Sequence, residues 1–298
     1  FQRLRLDNGE WALTPTFAGI HCAALIEEDF HIIAAHGGSV IWSPLSNYLL
    51  YGGTMDLEAA RAADVLMGLG SDWARSGSKN LLGELKVAWL ANQAQGSPFS
   101  AQQIVAMATA NPARILKWDQ ELGTIEPGKR ADLLVIAGQQ GDDYERLIRA
   151  RETDIWLVVI EGKAHYGLER LMTPFGTGTE KIKVGSVRRV LNLEEAGNHP
   201  LLRDLTLTEA TRRLRAAMAD LPALAQDLDD SATRGAWSGS RDASGMRWQL
   251  VLDFDVEEPE YMDTRGLADV VQPMQLDGIT VADDAQFLSR LAQARNVP

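Results

Sequence analysis

The chain has 298 residues, 29 basic and 41 acidic side chains, a formal net charge of −12, and 45% hydrophobic against 23% charged residues. That composition provides ample core material and argues against disorder. The acidity disfavours nucleic acid or an anionic membrane as partner, since either needs a basic face. Cys22 stands alone, so no intrachain disulfide can form, and no apolar run approaches the ~20 residues of a membrane span. The first residues, Phe1-Gln2-Arg3-Leu4-Arg5, hold neither an initiator Met nor a signal-peptide core. A cytoplasmic setting is the default expectation, and homo-oligomerisation is left open.

In chain order, three short apolar runs come first, each leading into a helix-like pattern. Phe17–His21 precedes an apolar-periodic stretch from Phe30 to Ala35; Ser39–Trp42 is closed by Ser43-Pro44 and precedes a helix near 56–63; Val65–Gly70 ends at Ser71-Asp72-Trp73. The helix after the third run is predicted from Asn80 to Asn92, with Asn80 as N-cap. Repeated strand–loop–helix units imply a buried parallel sheet, with functional groups at the C-terminal ends of its strands. Ser100 can cap a helix through Met107, and Asn111-Pro112 begins another short one. Glu126-Pro127-Gly128-Lys129 reads as a turn feeding a strand from Ala131 to Ile136, and a second strand from Ile155 to Glu161 suggests a small separate sheet. From about 175 the chain reads as irregular until Thr206 and Glu209 form a capping box for a helix to about 220. A strand at Trp248–Phe254 and a helix at 283–294 follow.

Five histidines are few enough to weigh singly. No pair forms His-x-His or the i, i+4 spacing of a helical metal site. His31 and His36 flank a helix and read as surface residues, and His165 and His199 as structural or exposed. His21 differs because it ends a strand. Asp72 likewise ends a Gly-rich strand, where a carboxylate is costly unless paired, hydrogen-bonded or metal-bound. Ser46-Asn47 is a polar pair near a third strand end that reads equally as a turn or cap. Ser76-Gly77-Ser78-Lys79 lacks the glycine spacing of a phosphate loop.

Taken together, Gly19-Ile20-His21-Cys22, Trp42-Ser43-Pro44-Leu45-Ser46-Asn47 and Leu69-Gly70-Ser71-Asp72-Trp73 resemble the amidohydrolase superfamily, in its chlorohydrolase and aminohydrolase branch. Gly123–Ile136 is similar to the segment by which such enzymes leave their barrel and re-enter a small β-sandwich. The resemblance implies an α/β fold: the last three strands of a (β/α)8 barrel in residues 1–118, a returning sandwich segment in 119–170, and an α/β extension of unknown role in 171–298. It implies a hydrolase of carbon–nitrogen bonds other than peptide bonds, using metal-activated water on a small-molecule substrate. Asp72 would be metal ligand and proton acceptor, His21 its catalytic neighbour, and Trp42, Ser46, Asn47 and Trp73 would line the substrate pocket. The implied cofactor is a divalent metal, zinc before iron.

The family's His-x-His, its strand-five histidine and the nearby glutamate have no counterpart here. Asp72 alone is not expected to hold zinc, and three strands of a barrel leave an open edge. The chain is therefore expected to be part of a larger hydrolase, completed by a missing N-terminal half or a companion chain and inactive by itself. A non-catalytic remnant serving as a binding module is the alternative.

Overall fold

A computed structural model describes residues 4–73, 76–138, 141–176, 180–193 and 206–233. The sequence-predicted strand at Trp248–Phe254 and helix at 283–294 lie outside the described residues, as does His199. No helix among those described is long and apolar enough to cross a membrane.

The first unit holds two sheets. In the first, β1 (Ala18–Ile20), β2 (Ser39–Trp42) and β3 (Leu66–Leu69) run parallel in the order β1-β2-β3. Parallel neighbours need crossovers, which α1 (Glu27–Ala35) supplies between β1 and β2, and α2 (Pro44–Tyr51) with α3 (Leu57–Ala62) between β2 and β3. Behind β3 follow α4 (Leu81–Ala94), α5 (Ala101–Met107) and α6 (Ala110–Ile115). The core they share includes Phe30, Ile33, Val40, Trp42, Met55, Leu57 and Ile104, all fully buried.

The caps fall where the sequence places them. Asn80 accepts the Gly83 N–H at 3.0 Å, and Ser100 accepts that of Gln103 while Gln103 returns the bond to Ser100 N–H. Buried Asn92 holds the turn between α4 and α5 by bonding both the C=O and the N–H of Phe99, at 2.8 and 2.9 Å. Sequence reading missed α2. Pro44, taken as a strand terminator, sits at its first turn, where a missing N–H costs nothing.

The second sheet is antiparallel, in the order β4-β5-β6-β8-β7, built from β4 (Leu133–Ile136), β5 (Ile155–Ile160), β6 (Lys163–Gly167), β7 (Glu180–Val184) and β8 (Val187–Leu191). Helices α7 (Asp143–Arg149) and α8 (Glu169–Met172) lie between its strands in sequence. The stretch beyond 175, read as irregular, holds a hairpin that pairs onto β6. Lysines and arginines alternate there with Ile182, Val184 and Val190, a strand period masked by charge. Lys79 and Asn80 bond Glu152, and Lys86 donates to Ala150 O, which ties α4 to the chain entering β5.

The second unit is described as a pair of helices, α9 (Leu207–Ala219) and α10 (Leu221–Thr233). Thr206 caps α9 at Glu209 N–H as the sequence predicts, whereas the Glu209 carboxylate binds Arg212 and Arg213.

Candidate active site

The strands of the first sheet point the same way, so His21, Trp42 and Asp72 come to one side of it, at or just past the C-terminal ends of β1, β2 and β3. His21 and Asp72 approach each other across the end of β2, with Nε2 3.7 Å from Oδ2 and about a quarter of each side chain exposed. Both adopt left-handed backbone, φ 65° at His21 and 56° at Asp72, as does Cys22 at 51°. Such conformations cost of order 1–3 kcal/mol in residues other than glycine and gather at functional sites.

Asp72 has two fixed hydrogen bonds. Ser46 Oγ donates to Oδ2 at 2.5 Å and the Trp73 N–H donates to Oδ1 at 2.8 Å. The Ser46 hydroxyl is the main reason the carboxyl sits below its ordinary range; partial burial opposes this, and the Trp73 amide and His21 reinforce it. At neutral pH Asp72 is an oriented anion.

The imidazole is fixed from the opposite side. His21 Nδ1 and Asn47 Oδ1 are 2.8 Å apart, while Asn47 Nδ2 donates to His21 O at 3.3 Å and to Thr54 Oγ1 at 3.0 Å. A backbone carbonyl can only accept, so the Asn47 amide has one orientation, with its oxygen toward the ring. His21 Nδ1 therefore carries a proton toward Asn47, and Nε2 is the ring nitrogen that faces Asp72. Thr54 Oγ1 also receives the Trp42 indole N–H at 2.8 Å. Trp42, Ser46 and Asn47, named from sequence as pocket lining, are fully buried. They lie beneath the exposed rim and support it.

The rim is aromatic. Trp73 is 62% exposed and Tyr51 57%. Tyr51 meets the His21 ring edge-on, with centroids 5.7 Å apart and planes at 82°. Tyr51 and Thr54 were not singled out from sequence. With α2 recognised, Asn47 and Tyr51 stand at i and i+4 on one helix face, and both contact His21. Of the other described histidines, His31 is an exposed partner of Glu27, His36 Nδ1 meets Ile32 O at 2.8 Å, and His165 Nδ1 meets Asn192 O at 3.2 Å.

The divalent metal that the sequence resemblance implies would need His21 and Asp72 as donors. His21 Nε2 and Asp72 Oδ2 face a common point, but among the described residues no group of three His, Cys, Asp or Glu side chains could hold a metal ion. Catalytic zinc typically takes three protein ligands, so these residues do not fit the ion by themselves.

The chain belongs to the amidohydrolase family, whose model matches residues 7–164. Among curated proteins, it is 33% identical over 158 residues to a 5-methylthioadenosine/S-adenosylhomocysteine deaminase of Symbiobacterium thermophilum, covering 49% of this chain and 36% of the relative. The corresponding deaminase of Moorella thermoacetica is 34% identical over 154 residues, covering 48% and 36%. Among solved structures, a zinc-bound adenosine deaminase of Xanthomonas campestris aligns with TM-score 0.48 and 27% identity over 51% of this chain and 37% of its own. The chain thus spans little more than a third of the length of these relatives.

Proposed function

We propose that this chain supplies one side of the active site of a hydrolase that cleaves a carbon–nitrogen bond, other than a peptide bond, in a small molecule. The reading is of deaminase or amidohydrolase type. The three parallel strands are, in this reading, the last three of an eight-stranded barrel, and the remaining donors come from outside the described residues. The observation that carries it is the meeting of His21 Nε2 and Asp72 Oδ2 at 3.7 Å from two strands that are not neighbours. Asp72, ionised and aimed by Ser46, is placed to take a proton from the attacking water and pass it to the leaving nitrogen. His21 presents Nε2 to the water or to the substrate. The exposed faces of Tyr51 and Trp73 suit a planar ring, and the nucleosides in the relatives' names carry one. A divalent metal, zinc before iron, belongs to this proposal only with additional ligands from elsewhere.

The test is ammonia release from 5-methylthioadenosine in zinc-containing buffer. The chain is assayed alone and co-expressed with the preceding portion of the Symbiobacterium thermophilum relative. The chain alone is expected to be inactive and the pair active, with Asp72→Asn lowering the pair's rate by roughly 10²–10⁴-fold, the usual size of a lost proton-transfer group. Zinc-dependent turnover by the chain alone, abolished by Asp72→Asn, would overturn the one-sided site. A pair indifferent to Asp72→Asn would overturn the assignment of Asp72.

A further inference from the structure

Glu84, on α4, is fully buried. Its Oε1 accepts the Leu45 N–H at 3.0 Å. That amide lies in the first turn of α2, where Pro44 has no N–H to offer and the Ser43 side chain makes no cap bond. Helix N-termini leave such amides without internal partners, so α4 caps α2 in trans. The next residue, Ser46, gives its hydroxyl to Asp72 at 2.5 Å.

The same carboxyl group also lies beside Ser78. Ser78 follows Gly77, where a Cβ would stand 1.8 Å from Ser71 O and 3.0 Å from Asp72 Cβ. Glu84 therefore lies against both the turn that carries Ser46 and the loop folded against Ser71 and the Cβ of Asp72. Among the described residues, the hydroxyl of Ser76 closes no hydrogen bond. A buried acid without a cationic partner is expensive, and an apolar side chain of similar size would commonly be as stable or more so. What the carboxyl contributes here is an acceptor, for the Leu45 amide at 3.0 Å and toward Ser78.

We propose that Glu84 is a positioning residue that fixes the Ser46–Asp72 hydrogen bond through the Leu45 amide. This rests on the reading of Asp72 as a site residue, but its test requires no turnover, so the ammonia assay and this experiment fail independently.

The experiment compares Glu84→Gln, which loses the charge and keeps an acceptor, with Glu84→Met, which loses both at similar volume. The readouts are the Asp72 carboxyl ¹³C resonance at neutral pH and hydrogen exchange at the Leu45 amide. Glu84→Met is expected to move the Asp72 resonance as far as Ser46→Ala does, with no further movement in the double variant, and to speed Leu45 exchange about tenfold, as for one lost hydrogen bond. Glu84→Gln is expected to leave both at their wild-type positions, a rescue that a space-filling role would not distinguish from Glu84→Met. Equal Asp72 resonances in the two variants, or additive effects of Glu84→Met and Ser46→Ala, would overturn the proposal. Should Glu84→Met fail to fold, Glu84→Gln decides alone: fast exchange at Leu45 in a folded Gln variant overturns the proposal, and retained protection supports it.

Discussion

Asn47 is the residue on which the His21 ring depends, because its amide is locked by two acceptors, His21 O and Thr54 Oγ1, before it meets the imidazole. Replacing it with Leu keeps the volume but strands the Nδ1–H and removes the reason for a single tautomer. Asn47→Leu is expected to destabilise the fold by ~1–3 kcal/mol, the cost of orphaned buried polar groups, measured by urea unfolding. The His21 ring ¹⁵N shifts should then report mixed Nδ1 and Nε2 tautomers. A single retained tautomer would mean that another group holds the ring. The two carboxyls give opposite pH signatures. Asp72 is held below its ordinary value by Ser46, so its contribution is present above the unfolded pKa and is lost as pH falls through the lower folded value. Burial pushes Glu84 up, against the pull of Ser78 and the Leu45 amide. The unfolded chain then ionises first, so Glu84 disfavours folding increasingly as pH rises above its ordinary value of 4.5 and up to its folded value. Glu84→Gln should match wild-type stability in acid and exceed it toward neutral pH in paired urea titrations; a gap that does not grow with pH would contradict this.

At the scale of elements, sequence periodicity found β1, β2 and β3 because each reads as a short apolar run, with β2 and β3 largely buried. It placed His21 and Asp72 correctly at their ends. It missed α2 because Ser43-Pro44 is as good a stop signal for a strand as a start signal for a helix, and the helical face of Asn47 and Tyr51 went with it. Glu84 was illegible for a different reason: on sequence a Glu in the first turn of α4 looks like ordinary dipole compensation, and only the fold brings Leu45 to it. The loop between β3 and α4 makes its own prediction. Gly77 lies so close to Ser71 O that any side chain forces the loop away from Asp72. Gly77→Ala should therefore cost ~1–3 kcal/mol, as overpacking does. Gly53→Ala, with nothing within 4 Å of the added carbon, serves as the control and should be neutral or mildly stabilising. Equal effects of the two in thermal unfolding would mean the loop does not bear on Asp72.

For the molecule as a whole, the informative feature is the asymmetry of the parallel sheet's two edges. On β3, α6 covers the edge: Asn111 Nδ2 donates to Met67 O at 2.9 Å, and Ile115 and Pro112 lie over Gly68. On β1 the bonds from Ser39 N–H to Phe17 O and from His21 N–H to Ile41 O turn the odd-numbered residues toward β2. Ala18 and Ile20 are left on the opposite edge, where no further strand pairs among the described residues. Ile20 is 64% exposed. The Cys22 N–H occupies Ile20 O at 2.8 Å, but a short apolar edge with no strand partner among the described residues can still recruit one, whether from a preceding segment of a longer chain, a companion or a second copy. In the purified 298-residue protein a second copy can take that place, and the weight-average mass in sedimentation velocity should then rise with concentration. Ile20→Lys places a charge on that edge without disturbing the bonds to β2, and it should weaken association by about tenfold, equivalent to ~1.4 kcal/mol. A mass independent of concentration in both proteins would show that the β1 edge is blocked. A mass that rises equally in both would place the contact elsewhere, with the −12 net charge setting its salt dependence.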